Sequence, residues 1–306
     1  MKVFNALKSI PNEAKGCVIA IGNFDGVHRG HQALIAEAAK IAKEKNAKLG
    51  VLTFEPHPRR LFQPSLPPAR LTPTGMKAHR LEAQHIDYLF SLEFDWDFAS
   101  QTADDFIQNI LIEGLEAKHI VVGDNFCFGQ LRKGSPETIK KAGIDVTIVE
   151  PILDENSEII SSSRIREALR KGNIEIANSL LGWNWEVSGT IVRGDRRGHE
   201  LGYPTANVLL NDTLHPAYGI YASKVLIEGE NEWRPAATNI GIRPMFEVEE
   251  GQVEAHILEF PDKDIYDRIL RIQPIKRLRG EAKFNSLDDL IEQMGKDCQK
   301  TLEILS

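Results

Sequence analysis

The stretch from Ala20 to Lys45 reads AIGNFDGVHRGHQALIAEAAKIAKEK. An apolar run that begins at Cys17 gives way here to three glycines, Gly22, Gly26 and Gly30, and then to a helical pattern. Leu34, Ile35, Ala38, Ile41 and Ala42 fall on one face at the 3.6-residue period. A buried strand that passes through a glycine turn into an amphipathic helix is the opening unit of a parallel α/β sheet. The mouth of such a helix carries unpaired N–H groups and a partial positive charge, so anions bind there, and glycines let the backbone come close to a phosphate. His28 and His31 are three apart and project from nearly the same side of the first turn. Imidazoles in that place can donate to phosphate oxygens, and such bonds strengthen as charge builds in a transition state. A plain helix cap with two surface histidines is the alternative. Zinc fits less well, because the chain has no HExxH and no cysteine cluster to complete a site.

Outward from this stretch the first half keeps alternating. Short apolar runs at 48–54, 86–94, 119–126 and 145–152 read as further buried strands, with helical segments between most of them. The segment 102–115 reads as an α-helix capped by Thr102, with Asp104 and Asp105 in its first turn. Residues 161–182 read as two short helices broken around Gly172–Asn173. After Gly182 the texture changes to strand-like pieces separated by Gly, Pro, Asp and Asn, which predicts an antiparallel barrel or sandwich. The chain ends on a helix opened by Ser286 and Asp289, with Leu287, Leu290, Ile291, Met294, Cys298 and Leu302 predicted on its apolar face. The expected fold is therefore α/β plus β, with domains at 1–184 and 185–306.

The 306 residues carry a net charge of −7, which argues against a dominant nucleic-acid footprint. No run approaches the ~18 apolar residues of a membrane span. Cys17, Cys127 and Cys298 are widely spaced and in no paired pattern, and the first residues lack a signal-peptide apolar run. A cytoplasmic protein is expected, with no membrane or nucleic-acid partner. The familiar nucleotide motifs are absent. The three glycines of the opening stretch do not spell GxGxxG, and GQLRKGSP (129–136) has P-loop glycine spacing but Ser135 in the place of the lysine.

GNFDGVHRGH resembles the G-x-F-D-x-x-H-x-G-H signature of the nucleotidylyltransferases. With TFEPHP (53–58), VVGDNFCFG (121–129) and ISSSRIREAL (160–169) following in order, the chain resembles the bacterial bifunctional riboflavin kinase/FAD synthetases. That resemblance implies ATP over Gly22, Phe24, Asp25 and Gly26, with His28 and His31 on its phosphates. Ser162, Ser163 and Arg164 are implied at a second helix mouth. Arg164 and Arg166 cannot face the same way on a helix, and Arg164 is taken as the functional one. Phe54, Pro56, Pro58, Phe62 and Phe128 are implied as an apolar wall for the isoalloxazine, with Asn125 contacting substrate.

In the second half, GTIVRGDRRGHELGYPTANV (189–208) joins a glycine-and-arginine loop to PTAN. Thr205 and Asn207 share a strand face and offer neutral oxygens suited to Mg²⁺. The block is similar to the riboflavin kinase motif. That similarity implies Gly194, Arg196 and Gly198 on ATP, Glu254 as catalytic base, and Arg279 and Glu281 on flavin. Three positions depart from the family pattern: Met245 for Thr, Asp267 for Gly, and Gly280 for an acidic residue. The implied substrates and products are ATP, riboflavin, FMN and FAD. An adenylyltransferase with another acceptor, and a flavin-binding regulator without catalysis, are the alternatives.

Overall fold

The computed structural model describes residues 1–193, 202–245, 248–261 and 263–306. They form two compact units, Met1–Leu66 with Thr74–Ser161, and Pro67–Pro73 with Ser162–Ser306. Gly194, Arg196 and Gly198 lie outside the described residues.

The first unit contains, in chain order, β1 (Lys2–Phe4), β2 (Val18–Ile21), α1 (Arg29–Glu44), β3 (Leu49–Glu55), α2 (Pro58–Phe62), α3 (Thr74–Glu82), β4 (Tyr88–Glu93), α4 (Trp96–Ala99), α5 (Ala103–Asp105), a π-helix (Phe106–Gly114), β5 (His119–Gly123), α6 (Pro136–Lys141) and β6 (Asp145–Val149). The sheet order is β1-β4-β3-β2-β5-β6, and every pairing is parallel. Alternate residues of each strand feed opposite faces. Ile19, Leu52, Phe90 and Ile120 pack against the π-helix, while Val18, Ala20, Val51 and Val121 pack against α1. The chain runs from β2 outward through β3 to β4 and then returns to β5 on the other side of β2. The reversal opens a crevice beyond the carboxyl ends of β2 and β5, where open α/β sheets bind ligands.

Two expectations for this unit are corrected. The strand β1 has no counterpart in the sequence reading, because it is three residues long and two of them are exposed. The predicted α-helix at 102–115 holds only for its first turn. Thr102 caps it in a full capping box with Asp105, and the chain then widens into the π-helix. The Leu115 N–H donates to the Ile110 carbonyl, five residues back, at 2.9 Å. The wider turn brings Leu115, fully buried, onto the face that already carries Phe106, Ile110 and Leu111.

The second unit contains α7 (Ser162–Arg170), α8 (Ile174–Leu181), β7 (Val187–Thr190), β8 (Ala206–Leu209), β9 (Gly219–Ile227), β10 (Arg234–Met245), β11 (Val248–Ile257), β12 (Ile269–Arg279) and α9 (Leu287–Leu305). Its sheet runs β7-β12-β9-β10-β11-β8, antiparallel throughout. The two end strands meet where the Val192 N–H donates to the Asn207 carbonyl at 2.9 Å, so the sheet curls into a nearly closed barrel. Asp267 has φ 62°, a left-handed conformation that glycine adopts freely and aspartate tolerates.

The apolar face predicted for α9 is partly wrong. Leu287 and Leu302 are exposed, and the most buried residues of the helix are Asp297 and Thr301. The covered stripe is rotated to run through half-buried Leu290, Met294 and Cys298 and buried Asp297, where pairing with half-buried Arg279 offsets the cost of placing a carboxylate. Among the described residues no helix is long and apolar enough to cross a membrane.

Candidate active sites

In the first unit, the turn between β2 and α1 is built around His28. It is the N-cap of α1 with an extended backbone, and its Nδ1 accepts the His31 N–H at 3.3 Å. With Nδ1 occupied as an acceptor, a neutral ring carries its proton on Nε2, the donor a phosphate oxygen needs. The rings of His28 and His31 stack at 3.7 Å, and His31 tilts onto Phe24 at 5.2 Å. Phe24 is fully buried and Asp25 nearly so. Phe24 therefore supports the histidine pair from beneath. A Cβ at Gly30 would sit 3.1 Å from the His28 ring, a tight contact that any larger residue would relieve only by shifting the imidazole by a few tenths of an ångström. Gly26 has φ 91°, open to glycine alone without strain.

Asn125 is exposed just past the carboxyl end of β5, on the same crevice. Of the predicted flavin wall, Phe54 and Phe128 are packed into the core, Pro56 is exposed and Pro58 begins α2. Phe62 is 55% exposed and meets Trp96, 63% exposed, edge-on at 5.7 Å. Trp96 escaped the sequence reading, although an exposed tryptophan at a strand's carboxyl end is a signal for a ligand. Lys77 also escaped it. This lysine is 3% exposed, and its ammonium lies among Thr53 Oγ1, the carbonyls of Asn23 and Phe54, and the Glu55 carboxylate.

Ser162, Ser163 and Arg164 open α7 in the second unit. Arg166 donates to the Ala69 carbonyl at 2.7 Å.

The second unit holds a cavity of about 620 Å³ whose lining includes Thr205, Asn239, Glu254, Arg279, Glu281, Asp297 and Cys298. Its polar groups follow from register. Across the sheet, Asn207 pairs with Glu254, Glu254 with Asn239, Asn239 with Ile220, and Ile220 with Arg279. Directly opposite residues share a face, so Asn207, Glu254, Asn239 and Arg279 stand in one transverse row over five strands. Gln252 ties two of them, its Nε2 donating to Asn207 Oδ1 at 2.9 Å and to Glu254 Oε1 at 2.7 Å. At the other end Arg279 grips Asp297 of α9, with its Nη2 2.7 Å from Oδ2. Asp297 and Asn239 are among the cavity residues that sequence reasoning missed, as are Tyr203, His256 and Phe284. The signal for Asp297 was present as an aspartate inside an apolar stripe.

The Cys298 thiol is pushed up to about 11, chiefly by burial and next by the Asp297 charge. It is neutral at pH 8, so its alkylation by iodoacetamide is expected to be more than about tenfold slower than that of exposed Cys127. Peptide mass spectrometry over a time course reads both rates, and equal rates would show that Cys298 is not shielded.

Known relatives match this geometry half by half. The FAD synthetase family model matches residues 10–164, and the riboflavin kinase family model matches 181–305. A bifunctional riboflavin kinase/FMN adenylyltransferase of Escherichia coli strain K12 is 40% identical over 295 residues, 95% of this chain and 93% of the relative. The chain belongs to the bifunctional riboflavin kinase/FMN adenylyltransferase family. The member of that name from Bacillus subtilis is 38% identical over 307 residues, covering 97% of this chain and 95% of its own. A crystal structure from Streptococcus pneumoniae, described as a macrolide-efflux protein, superposes with a TM-score of 0.87 at 33% identity over 98% of each chain. Within the bifunctional riboflavin kinase/FMN adenylyltransferase family, then, the parallel sheet of this chain carries the FAD synthetase match and its barrel the riboflavin kinase match.

Proposed function

We infer that the chain is a two-site flavin-cofactor enzyme. It phosphorylates riboflavin to FMN with ATP and then adenylylates FMN with a second ATP to give FAD and pyrophosphate. What carries this reading is the coincidence of two family matches, in order and over nearly the whole chain, with two separate architectures that each present a site. We place the boundary between the two activities at 1–184 and 185–306, with the barrel leaning for its fold on residues 67–73 and 162–184 of its own unit.

In the kinase reaction the ribityl 5′-hydroxyl attacks the γ-phosphorus, its proton passes to Glu254, and the bond from that phosphorus to the β-bridging oxygen breaks, releasing ADP. Asn207 and Gln252 hold the Glu254 carboxylate end of the row in place. Thr205 and Asn207 provide neutral oxygens of the kind Mg²⁺ takes while leaning on nucleotide phosphates. The ion would neutralise charge on the transferring phosphoryl group. Arg279 and Glu281 face flavin in the same cavity.

In the adenylyl transfer an FMN phosphate oxygen attacks the α-phosphorus and the bond to the bridging oxygen of pyrophosphate breaks. The nucleophile is already an anion, so alignment and charge neutralisation carry the rate. His28 and His31 donate to the phosphates at the α1 mouth. Gly22 and Gly26 bring the backbone close, and Phe24 and Asp25 shape the turn. Phe62, Trp96, Pro56 and Pro58 border the flavin, with Phe54 and Phe128 behind them, and Asn125 meets substrate. Ser162, Ser163 and Arg164 are assigned to phosphate because the FAD synthetase match runs through residue 164. Free thiols suit a cytoplasmic enzyme.

The test is incubation with riboflavin and Mg-ATP, with FMN and FAD separated by chromatography over time. FMN rising before FAD is the expected course. FMN without FAD would leave an adenylyltransferase with another acceptor, and flavin binding with neither product would leave a regulator. Glu254→Ala is expected to lower FMN formation by about 10²–10⁴ while FAD formation from supplied FMN continues.

A further inference from the structure

We propose that Lys77 is a positioning residue for adenylyl transfer, holding the phosphate-binding turn through the Asn23 carbonyl. The inference rests on the reading of residues 22–31 as the ATP site. The turn contains two left-handed residues that are not glycine, Phe24 with φ 50° and Val27 with φ 37°. Such backbone is retained only where the surroundings over-determine it. Asn23, immediately before Phe24, is fixed from the β3 side. Its carbonyl accepts from Thr53 Oγ1 at 3.1 Å and from Lys77 Nζ at 3.4 Å.

The lysine is itself held from several directions. Its Nζ lies 3.2 Å from Thr53 Oγ1 and 3.4 Å from the Phe54 carbonyl, and it pairs with Glu55. Thr53 and Lys77 are 0% and 3% exposed. Burying an ammonium costs free energy unless acceptors surround it, and every acceptor named here lies at the carboxyl end of β3 or in the turn after β2. With Glu55 cancelling its charge, Lys77 acts through geometry and does not touch nucleotide. It joins the turn that grips the triphosphate to the strand end that borders the flavin wall. A displaced turn loses its aim at phosphate, and misplacement of about 1 Å costs on the order of 10²-fold in such alignments.

The test uses the full chain supplied with FMN and Mg-ATP. Lys77→Met is expected to raise KM for ATP in FAD formation about tenfold and to lower kcat, with KM for FMN within twofold. Riboflavin phosphorylation by the same molecules stays unchanged. Lys77→Arg, which restores a cationic donor, should recover part of the loss. A merely structural role would remove competent molecules and lower the apparent kcat without moving KM for ATP, and that result overturns the proposal. Should Lys77→Met fail to fold, Thr53→Val removes a hydroxyl from the same cluster and should raise KM for ATP in the same direction; an unchanged KM there overturns it equally. His28→Ala runs beside them. If it leaves FAD formation intact, the ATP-site reading has failed; if it stops FAD formation while Lys77→Met leaves KM for ATP unmoved, only the Lys77 inference has.

Discussion

A chain carrying His28→Ala is expected to turn riboflavin into FMN at the native rate and to stop there. The imidazole does two things in the turn. Its Nδ1 accepts the His31 N–H and so caps α1, and that bond commits a neutral ring to carrying its proton on Nε2. Alanine removes both. Loss of one preorganised donor at a developing oxyanion costs about 10²–10³ in rate. Loss of the cap costs roughly 1 kcal/mol of stability, too little to unfold a unit with two core clusters. The His31 ring, stacked 3.7 Å from His28, also loses its support, so the expected fall in FAD formation is at least about 10³-fold. Glu254→Ala supplies the mirror image. Chromatography of both variants, given riboflavin and then FMN, yields a two-by-two pattern that a single shared site cannot produce. If His28→Ala also stopped FMN formation in a folded chain, the separation of the two reactions would be wrong.

Much of this arrangement was legible because strand ends and helix mouths leave strong marks. The apolar run, glycines and amphipathic face of residues 17–42 place β2, the turn and α1 without any tertiary information. Asn207 and Glu254 sit on strands that the Gly and Pro punctuation separates correctly, while Thr205, expected on the same strand as Asn207, lies just before β8. What stayed hidden depends on partners distant in sequence. Nothing near Lys77 says that the lysine is buried, because its acceptors come from residues 23 and 53–55. Asp297 falls inside the apolar stripe of α9, but only Arg279, eighteen residues earlier, shows what holds a carboxylate there. The π-helix follows the α-helical pattern for a turn, and only the need to bury Leu115 reveals the wider winding. The barrel row is a matter of register, which alternation alone does not specify.

The second large effect concerns a segment far from the barrel in sequence. Residues 67–73 belong to the second unit, and a fragment 185–306 is expected not to fold into an active riboflavin kinase. Leu71 is fully buried, as is Trp185, whose indole N–H donates to the Leu71 carbonyl at 3.0 Å. The Leu214 N–H donates to the Arg70 carbonyl at 2.8 Å, and Arg70 pairs with Asp212 at 3.1 Å. The fragment also loses α7 and α8, which bury Ile165, Leu169, Ile174 and Leu181 completely. Stripping Leu71 alone leaves the Trp185 N–H a buried donor without its acceptor, at about 1–3 kcal/mol. Removing a buried leucine side chain adds about 2–5 kcal/mol. Against a total of roughly 5–15 kcal/mol for a whole domain, the cut removes more than the barrel can spare. Within the intact chain, Leu71→Ala should therefore lower the thermal midpoint of riboflavin kinase activity, although residue 71 lies inside the region that the FAD synthetase model matches. Thermal inactivation followed separately for FMN and FAD formation tests this. A 185–306 fragment that phosphorylates riboflavin at the rate of the full chain would show that residues 67–73 only rest on the barrel.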